Sequence, residues 1–303
     1  MSGRYGALFA QGSLNEHRKF ACRQTFLQEG SIVEKLQLVQ SRQNKTVKEI
    51  IALQDKKERK RQRCFIVEGV RFVKEALLSG MDVEKICFAA ETADKLVPAF
   101  NSLLPAGLPM FEMPLGLFSQ MAQTETPQGV LAVVRIPARS LNSLYRQGFR
   151  GLVLDNVQDP GNCGTMIRSA HALGFDAVIT ASGSVDVFNG KVLRSTMGSV
   201  FHIPVVENVN LTGIVSFAKE HQLELIVASL ESASACHKTN LTGEFLLAVG
   251  NEGKGVSEEM FAAAGKRVYI PMPGGAESFN AGVAASILMY ESNRQKTQGC
   301  FVP

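Results

Sequence analysis

Along this chain, apolar residues fall either in short compact runs or at helical spacing, and the two patterns alternate. From Arg150 onward, "GLVLDNV", "DAVITA", "VFHIPVV", "LELIVAS", "FLLAVG" and "RVYIPM" read as short strands that are apolar almost throughout. A strand apolar on both faces must be covered on both faces, which implies a parallel sheet between layers of helices. The segments "NCGTMIRSAHALGF", "LTGIVSFAKEHQ", "SEEMFAAAG" and the closing "NAGVAASILMYESNRQ" supply those helices. Residues 41–137 show a looser alternation. Ile50, Ile51 and Leu53 mark a short helix, and "CFIVEG" is a strand ended by Gly69. "VRFVKEALLSG" is a helix with Val70, Val73, Ala76 and Leu77 on one stripe and Gly80 as its stop. "VEKICFAA" and "GVLAVVRIP" are further strands. The chain therefore divides into a tail (1–40), a small α/β domain (41–137), a linker (138–149) and a parallel-sheet α/β domain (150–303).

A length of 303 residues suits two such domains. No run of 18 apolar residues exists, so no membrane span is expected. The opening residues lack a signal peptide's apolar core. Their arginines suggest a transit peptide, but Glu16 and Glu29 argue for a plain tail. The six cysteines form no CxxC pair and stand at no metal-ligand spacing to histidine. They read as free thiols of a reducing compartment, which is the cytoplasm, or an organelle matrix if the tail is a transit peptide. No metal is expected.

Charge is divided unevenly. Residues 1–150 carry 22 Lys and Arg against 14 Asp and Glu, whereas residues 151–303 carry 10 against 14. A basic front half points to a polyanionic partner. Its densest stretch is "KKERKRQR", which holds Lys56, Lys57, Arg59, Lys60, Arg61 and Arg63. These residues are candidates for phosphate contacts that position a nucleic acid without reading its sequence.

Candidate chemistry lies in three glycine-bearing turns, each after a strand. Ligands of open α/β sheets bind at such strand ends. The turns are "DNVQDPGNCGTMIRSA", where Pro160 and Gly161 form the turn and Asn162 the cap, "VGNEGKGVSEE", and "IPMPGGAESFNAGVAAS". Taken singly, each is a capped strand-to-helix turn. Neither GxGxxG nor GxxxxGK[ST] is present, which argues against a dinucleotide oxidoreductase and a P-loop protein.

Taken together, the turns resemble the SpoU branch of the knotted-trefoil RNA methyltransferases. Asn162, Gly164 and Arg168 match its first motif. Gly250, Glu252 and Gly255 match the second, and Ile270, Pro271, Met272, Ser278 and Asn280 the third. The stretches "FIVEGVRFVKEAL" and "TETPQGVLAVV" resemble the substrate-binding domain, related to ribosomal proteins, that often precedes this fold. The resemblance implies a deep C-terminal trefoil knot, S-adenosylmethionine as cofactor, methylation of a ribose 2′-hydroxyl in RNA, and a homodimer. Ribosomal RNA is favoured over transfer RNA because of the front domain, and a non-catalytic assembly factor on the same fold is the rival reading. The resemblance also assigns the donor pocket to Ser229, Leu230, Gly250, Ile270, Met272 and Phe279. The catalytic group becomes Arg168, Asn162, Glu252, Ser278 and Asn280: Asn162 bonds the ribose or holds Arg168, Glu252 anchors Arg168 or Asn162, and Ser278 and Asn280 line the same pocket and fix the knot loop. Arg194 and Ser195 fall near the substrate mouth.

A guanidinium stays protonated in proteins, so Arg168 is read as a phosphate clamp that orients the hydroxyl, not as a base. The family's Ser-Leu-Asn-Val-Ser is here Ser278-Phe279-Asn280-Ala281-Gly282, which is expected to reshape the donor pocket and the packing of the last helix. Val283, Ile287 and Tyr290 form a stripe on that helix, available for dimer pairing. His171, His202 and His237 read as isolated structural residues, and Cys163 as a small packing residue.

Overall fold

The computed structural model describes residues 36–297. Most of the expected tail, with Cys22, lies outside the described residues, as does Cys300.

The first domain is a mixed five-stranded sheet in the order β1-β4-β3-β5-β2. Its strands are β1 (Gln37–Leu38), β2 (Cys64–Glu68), β3 (Val83–Ala89), β4 (Met110–Met113) and β5 (Val130–Arg135). Strand β1 falls within the expected tail. It pairs in parallel with β4, and Val39 just beyond it is 4% exposed, so residues 36–40 belong to the domain. Helices α1 (Lys45–Ala52), α2 (Lys56–Gln62), α3 (Val70–Leu78), α4 (Ala90–Phe100) and α5 (Leu115–Met121) cover the sheet. Helix α2 has no apolar stripe to betray it. Asp55 caps it through its Lys57 and Glu58 amides, and Arg63 ends it in the left-handed conformation.

The second domain is a seven-stranded, wholly parallel sheet, ordered β10-β12-β9-β11-β6-β7-β8. Its central strands are β6 (Arg150–Leu154), β7 (Ala177–Ala181), β9 (Glu224–Ala228) and β11 (Phe245–Val249). Alternate residues of β6 enter different cores. Leu152 and Leu154 pack with helices α6 (Pro160–Ala172), α7 (Gly190–Thr196) and α10 (Ala281–Thr297). Val153 faces the other way, toward α8 (Leu211–Glu220) and α9 (Glu258–Ala263). The sheet is thus covered on both faces, as its apolar runs require. At the edges lie β8 (Val205–Val209) and β10 (Ser234–Ala235), with β12 (Lys266–Tyr269) between β10 and β9.

Two expected boundaries moved. The run "VFHIPVV" is a strand only from Val205, and Ser199–Phe201 is a 3-10 turn. Phe201 is apolar because it packs against Phe72 of α3, with ring centroids 4.8 Å apart. Helix α6 begins at Pro160, which takes the first helical position while Asp159 caps the helix by accepting from the Asn162 amide. Asn162 is therefore inside the first turn and is not the cap.

The domains share one core. Phe65 of β2 lies 4.7 Å from Phe188, and residues of both domains join a single apolar cluster. The expected linker is also packed down. Phe149 is fully buried, and Tyr145 stacks on His221 at 4.2 Å.

Candidate active site

Strands β12, β9, β11 and β6 are neighbours and run parallel, so the loops that leave their carboxyl ends meet on one edge. These loops carry Ser229 and Leu230, Gly250 and Glu252, Ile270 and Met272, and residues 155–159. The fold thus brings together most residues of the three motifs.

The loop after β11 is pinned from below. Asp155, 2% exposed, accepts from both the amide and the hydroxyl of Ser257, at 2.6 and 2.7 Å. Asn251 donates to the Asn156 carbonyl at 3.0 Å and accepts from the Gly253 and Lys254 amides. The Asn251 and Gly255 backbones bond to each other in both directions, which folds the chain back on itself. A Cβ on Gly250 would land on the Gly255–Val256 peptide, so only glycine permits this closure. Asp155 and Asn251 were not singled out from the sequence. The available signal was an Asp or Asn directly after a strand, where short side chains bond to turn backbone.

So held, Glu252 receives the Asn162 side-chain amide at 2.9 Å and the Asp159 amide at 3.3 Å. Burial raises its pKa, but the hydrogen bonds from Asn162 and the backbone outweigh that and hold it below the ordinary carboxylate value. Glu252 is therefore an ionised anchor and a poor base. It anchors Asn162 and not Arg168. Asn162 is 7% exposed and uses its amide on Glu252, which leaves its Oδ1 to accept a further bond.

Arg168 lies further along α6. Its side chain is exposed and takes no partner among the described residues. Helix α10 packs along α6 through a 2.7 Å bond between the Ser169 and Ser286 hydroxyls. A Cβ on Gly282 would stand 3.3 Å from Thr165, so the glycine that departs from the family pattern allows the helices to approach. Asn280 caps α10 by accepting from the Val283 amide at 3.2 Å. This places the third motif beside the first and gives Asn280 a structural task. Ser278 and Phe279 are exposed in the same loop.

Gly164 is small for a similar reason. A Cβ there would strike Ser195 and stand 2.8 Å from the Val192 carbonyl of α7. Arg194, exposed on α7, reaches toward the Gln123 carbonyl of the first domain at 3.5 Å, so it stands at the domain junction. Cys163 is fully buried, and burial pushes its thiol up to about 12, as suits a packing residue.

The basic run divides. Arg59 is 5% exposed and fully engaged. It pairs with Asp186 at 2.5 Å and donates to the Leu53 and Gln54 carbonyls at 2.7 and 2.8 Å. It joins the two domains and has nothing left for a phosphate. Arg61 is exposed but held by Glu58 at 2.7 Å. Arg63 bonds the Pro137 carbonyl at 3.2 Å. Lys56, Lys57 and Lys60 are exposed. The histidines expected to be isolated are not all so, because His171 and His202 stack with centroids 5.0 Å apart.

The cleft suits a sulfonium nucleoside. Leu230, in the loop after β9, and Phe279, in the loop after β12, are apolar yet 62% and 41% exposed, and the second of these loops carries open glycine backbone at Gly274. Exposed apolar surface beside free backbone polar groups is what an adenosine ligand requires.

An all-parallel sheet with loops converging at its carboxyl end is the arrangement of α/β domains that bind ligands at their strand ends. Comparison with known proteins makes this particular. Residues 150–290 match the model of the SpoU rRNA Methylase family, and residues 44–132 that of the MRM3-like substrate binding domain. The 23S rRNA (guanosine(2553)-2′-O)-methyltransferase of Bacillus subtilis is 39% identical over 252 residues, covering 83% of this chain and 97% of that protein. The 23S rRNA (uridine(2479)-2′-O)-methyltransferase of Streptomyces viridochromogenes is 31% identical over 258 residues, covering 82% and 88%. The crystal structure of the SpoU methyltransferase AviRb from Streptomyces viridochromogenes with the cofactor AdoMet superposes with a TM-score of 0.78 at 29% identity, covering 85% of this chain and all of that one. The chain belongs to the SpoU rRNA methylase family.

Proposed function

We propose that this protein transfers the methyl group of S-adenosylmethionine to a ribose 2′-hydroxyl of ribosomal RNA. The observation that carries the reading is the bond of Asn162 to Glu252 at the carboxyl end of the sheet, the end from which the loop 270–280 also leaves, with Arg168 exposed and without a partner among the described residues. The cofactor supplies an electrophilic sulfonium methyl when bound, and Ser229, Leu230, Gly250, Ile270, Met272 and Phe279 would hold it. The chain's own residues then orient the nucleophile. Arg168 grips a phosphate of the target nucleotide and fixes the ribose. Asn162, locked by Glu252, offers Oδ1 to the 2′-hydroxyl. Ser278 lines the same opening.

Residues 41–137 form the RNA-binding domain in this reading. Lys56, Lys57 and Lys60 contribute phosphate contacts there, Arg61 and Arg63 lie on the same surface, and Arg194 contributes from the domain junction. The protein works as a homodimer in a reducing compartment. Val283 and Tyr290 of α10 are 43% and 58% exposed and, with Ile287, give an apolar stripe for the seam. The last helix is threaded in a trefoil knot, a topology supported by α10 returning from β12, three places from β6 in the sheet, to pack on α6, which follows the central β6.

The test is incubation with labelled S-adenosylmethionine and unmodified large-subunit rRNA, followed by mapping of 2′-O-methyl sites. Label on one ribose is expected. Methylation only of bases, or of transfer RNA in preference, would overturn the reading.

A further inference from the structure

Helix α7 stands between the first domain and the catalytic helix α6, and the first domain fixes it at two points. One runs through Asp186, whose side chain is 10% exposed. Its Oδ2 accepts from Nε and Nη2 of Arg59, on α2, at 3.0 and 2.5 Å. Its Oδ1 accepts from the Phe188 amide at 3.0 Å, within the turn that enters α7. The Asp186 carbonyl accepts from the Asn189 side chain at 2.9 Å, and Asn189 Oδ1 caps α7 by accepting from the Lys191 and Val192 amides at 2.9 and 3.0 Å. One carboxylate thus holds α2 with one oxygen and the entry to α7 with the other. The second point is the loop after α5. Glu68, at the end of β2, fixes that loop by accepting from the Gln123 amide at 2.6 Å and from the Thr124 hydroxyl. A Cβ on Gly190 would run into the Gln123 side chain, and Arg194 Nη1 reaches toward the Gln123 carbonyl at 3.5 Å.

Helix α7 in turn sets the stance of α6. Val192 and Leu193 are buried in the core that the domains share. The Val192 carbonyl would stand 2.8 Å from a Cβ on Gly164, so the two helices meet without a side chain between them at that point. Gly164 lies between Asn162 and Arg168 on α6, and a shift of α7 therefore moves the helix that carries both. At the other end of the chain of contacts, α2 turns Lys56, Lys57 and Lys60 to solvent while Arg59 grips Asp186. Apolar side chains would hold such a seam as well, since a buried ion pair adds little net stability over them. What the pair adds is direction, because a two-pronged guanidinium fixes an angle as well as a distance.

We propose that Asp186 is a positioning residue for methyl transfer. It acts through α7, which it ties to the RNA-facing helix α2 and which fixes α6. RNA gripped by the lysines of α2 then meets Asn162 and Arg168 in one register. The inference rests on the function proposed above. An error of about 1 Å in the reacting geometry costs about 100-fold in rate, so a seam free to slip is felt at the ribose.

The experiment compares the full-length double variant Arg59→Met, Asp186→Leu with the parent. The apolar pair keeps the seam filled and removes its direction. At saturating large-subunit rRNA, kcat for methyl transfer should fall about 10-fold. KM for the RNA should hold, because the lysines of α2 are untouched, and so should thermal stabilisation by S-adenosylhomocysteine. Arg59→Lys, which keeps the charge and loses the two-pronged grip, should show the same split more weakly, and it decides the matter if the apolar pair does not fold. Amide hydrogen exchange gives a readout independent of activity. It should quicken in α7 and in the first turn of α6, and not in β9 or β11. Parental kcat in a folded variant, a rise in KM alone, or faster exchange that stops at α7 would each overturn the positioning role. A parent that transfers no methyl group to RNA, with exchange in α6 altered as expected in the variants, would instead count against the function proposed above.

Discussion

The seam between the two domains and the cleft at the carboxyl end of the large sheet each centre on an arginine, Arg59 in one and Arg168 in the other. Both stand out in the sequence as cations for a nucleic acid. In the folded chain they differ completely. Arg59 is enclosed, bonded to Asp186 and to two carbonyls. Arg168 is exposed and has no partner among the described residues. The difference teaches that a cation's availability, and not its place in a basic run, marks it for a ligand. A buried charge survives only with its demands met internally, and an exposed one left unmet is free to act on something else.

The comparison breaks most visibly at the seam. Asp186→Ala leaves Arg59 buried without its counter-ion and should cost about 3–5 kcal/mol in chemical denaturation. The double variant Arg59→Met, Asp186→Leu should recover most of that. A single variant that denatures like the parent would show the pair to be ornamental.

At the cleft the opposite is expected. Arg168→Ala should lower the rate of methyl transfer about 100-fold or more while leaving the melting temperature in place. Transfer at the parent's rate with folding intact would remove Arg168 from the site.

A finer test uses Glu207, which lies beside Asp186 and accepts from the Val187 amide at 2.9 Å. Burial, and then the Asp186 charge, push its pKa up to about 7, with the Val187 amide, Lys60 and Lys56 pulling the other way. A raised carboxyl pKa means that the folded state favours the protonated form. Its stabilising contribution is therefore complete below the ordinary carboxylate range and is lost as pH rises through about 7. Glu207→Gln keeps the acceptor without the charge. It should raise stability at pH 8 by about 2 kcal/mol and flatten the pH profile below that. Denaturation curves at several pH values decide it, and an unchanged profile would show that the acid is not strained.

The smallest effect is expected on the exposed basic helix. Lys57→Ala should weaken RNA binding with a salt slope smaller by about one, whereas Arg59→Ala should act through stability. Titrations across salt concentrations separate the two.

Much of this arrangement was legible in the sequence. The compact apolar runs of β6, β9 and β11 announced a doubly covered parallel sheet, because few other settings tolerate strands without a polar face. Asn162, Glu252 and Gly250 were legible because their loops follow those strands. What escaped was long-range. Nothing local reveals that Arg59 meets Asp186, 127 residues away, or that Phe201 is apolar for the sake of Phe72. Asn280, expected at the helix entry, caps α10, and its sequence position alone did not say which amide it would accept from. Helix α2 was hidden because charged helices lack the apolar period that marks the others.

The contact between α6 and α10 has a further consequence. Thr165 and Gly282, or Ser169 and Ser286, touch across 117 residues of intervening chain. Closing a loop of that size must precede any reward from the contact, and parallel sheets already fold slowly for this reason. The donor cleft is therefore built by one of the most non-local contacts in the molecule. During biosynthesis it comes into being only after nearly all of the second domain has left the ribosome.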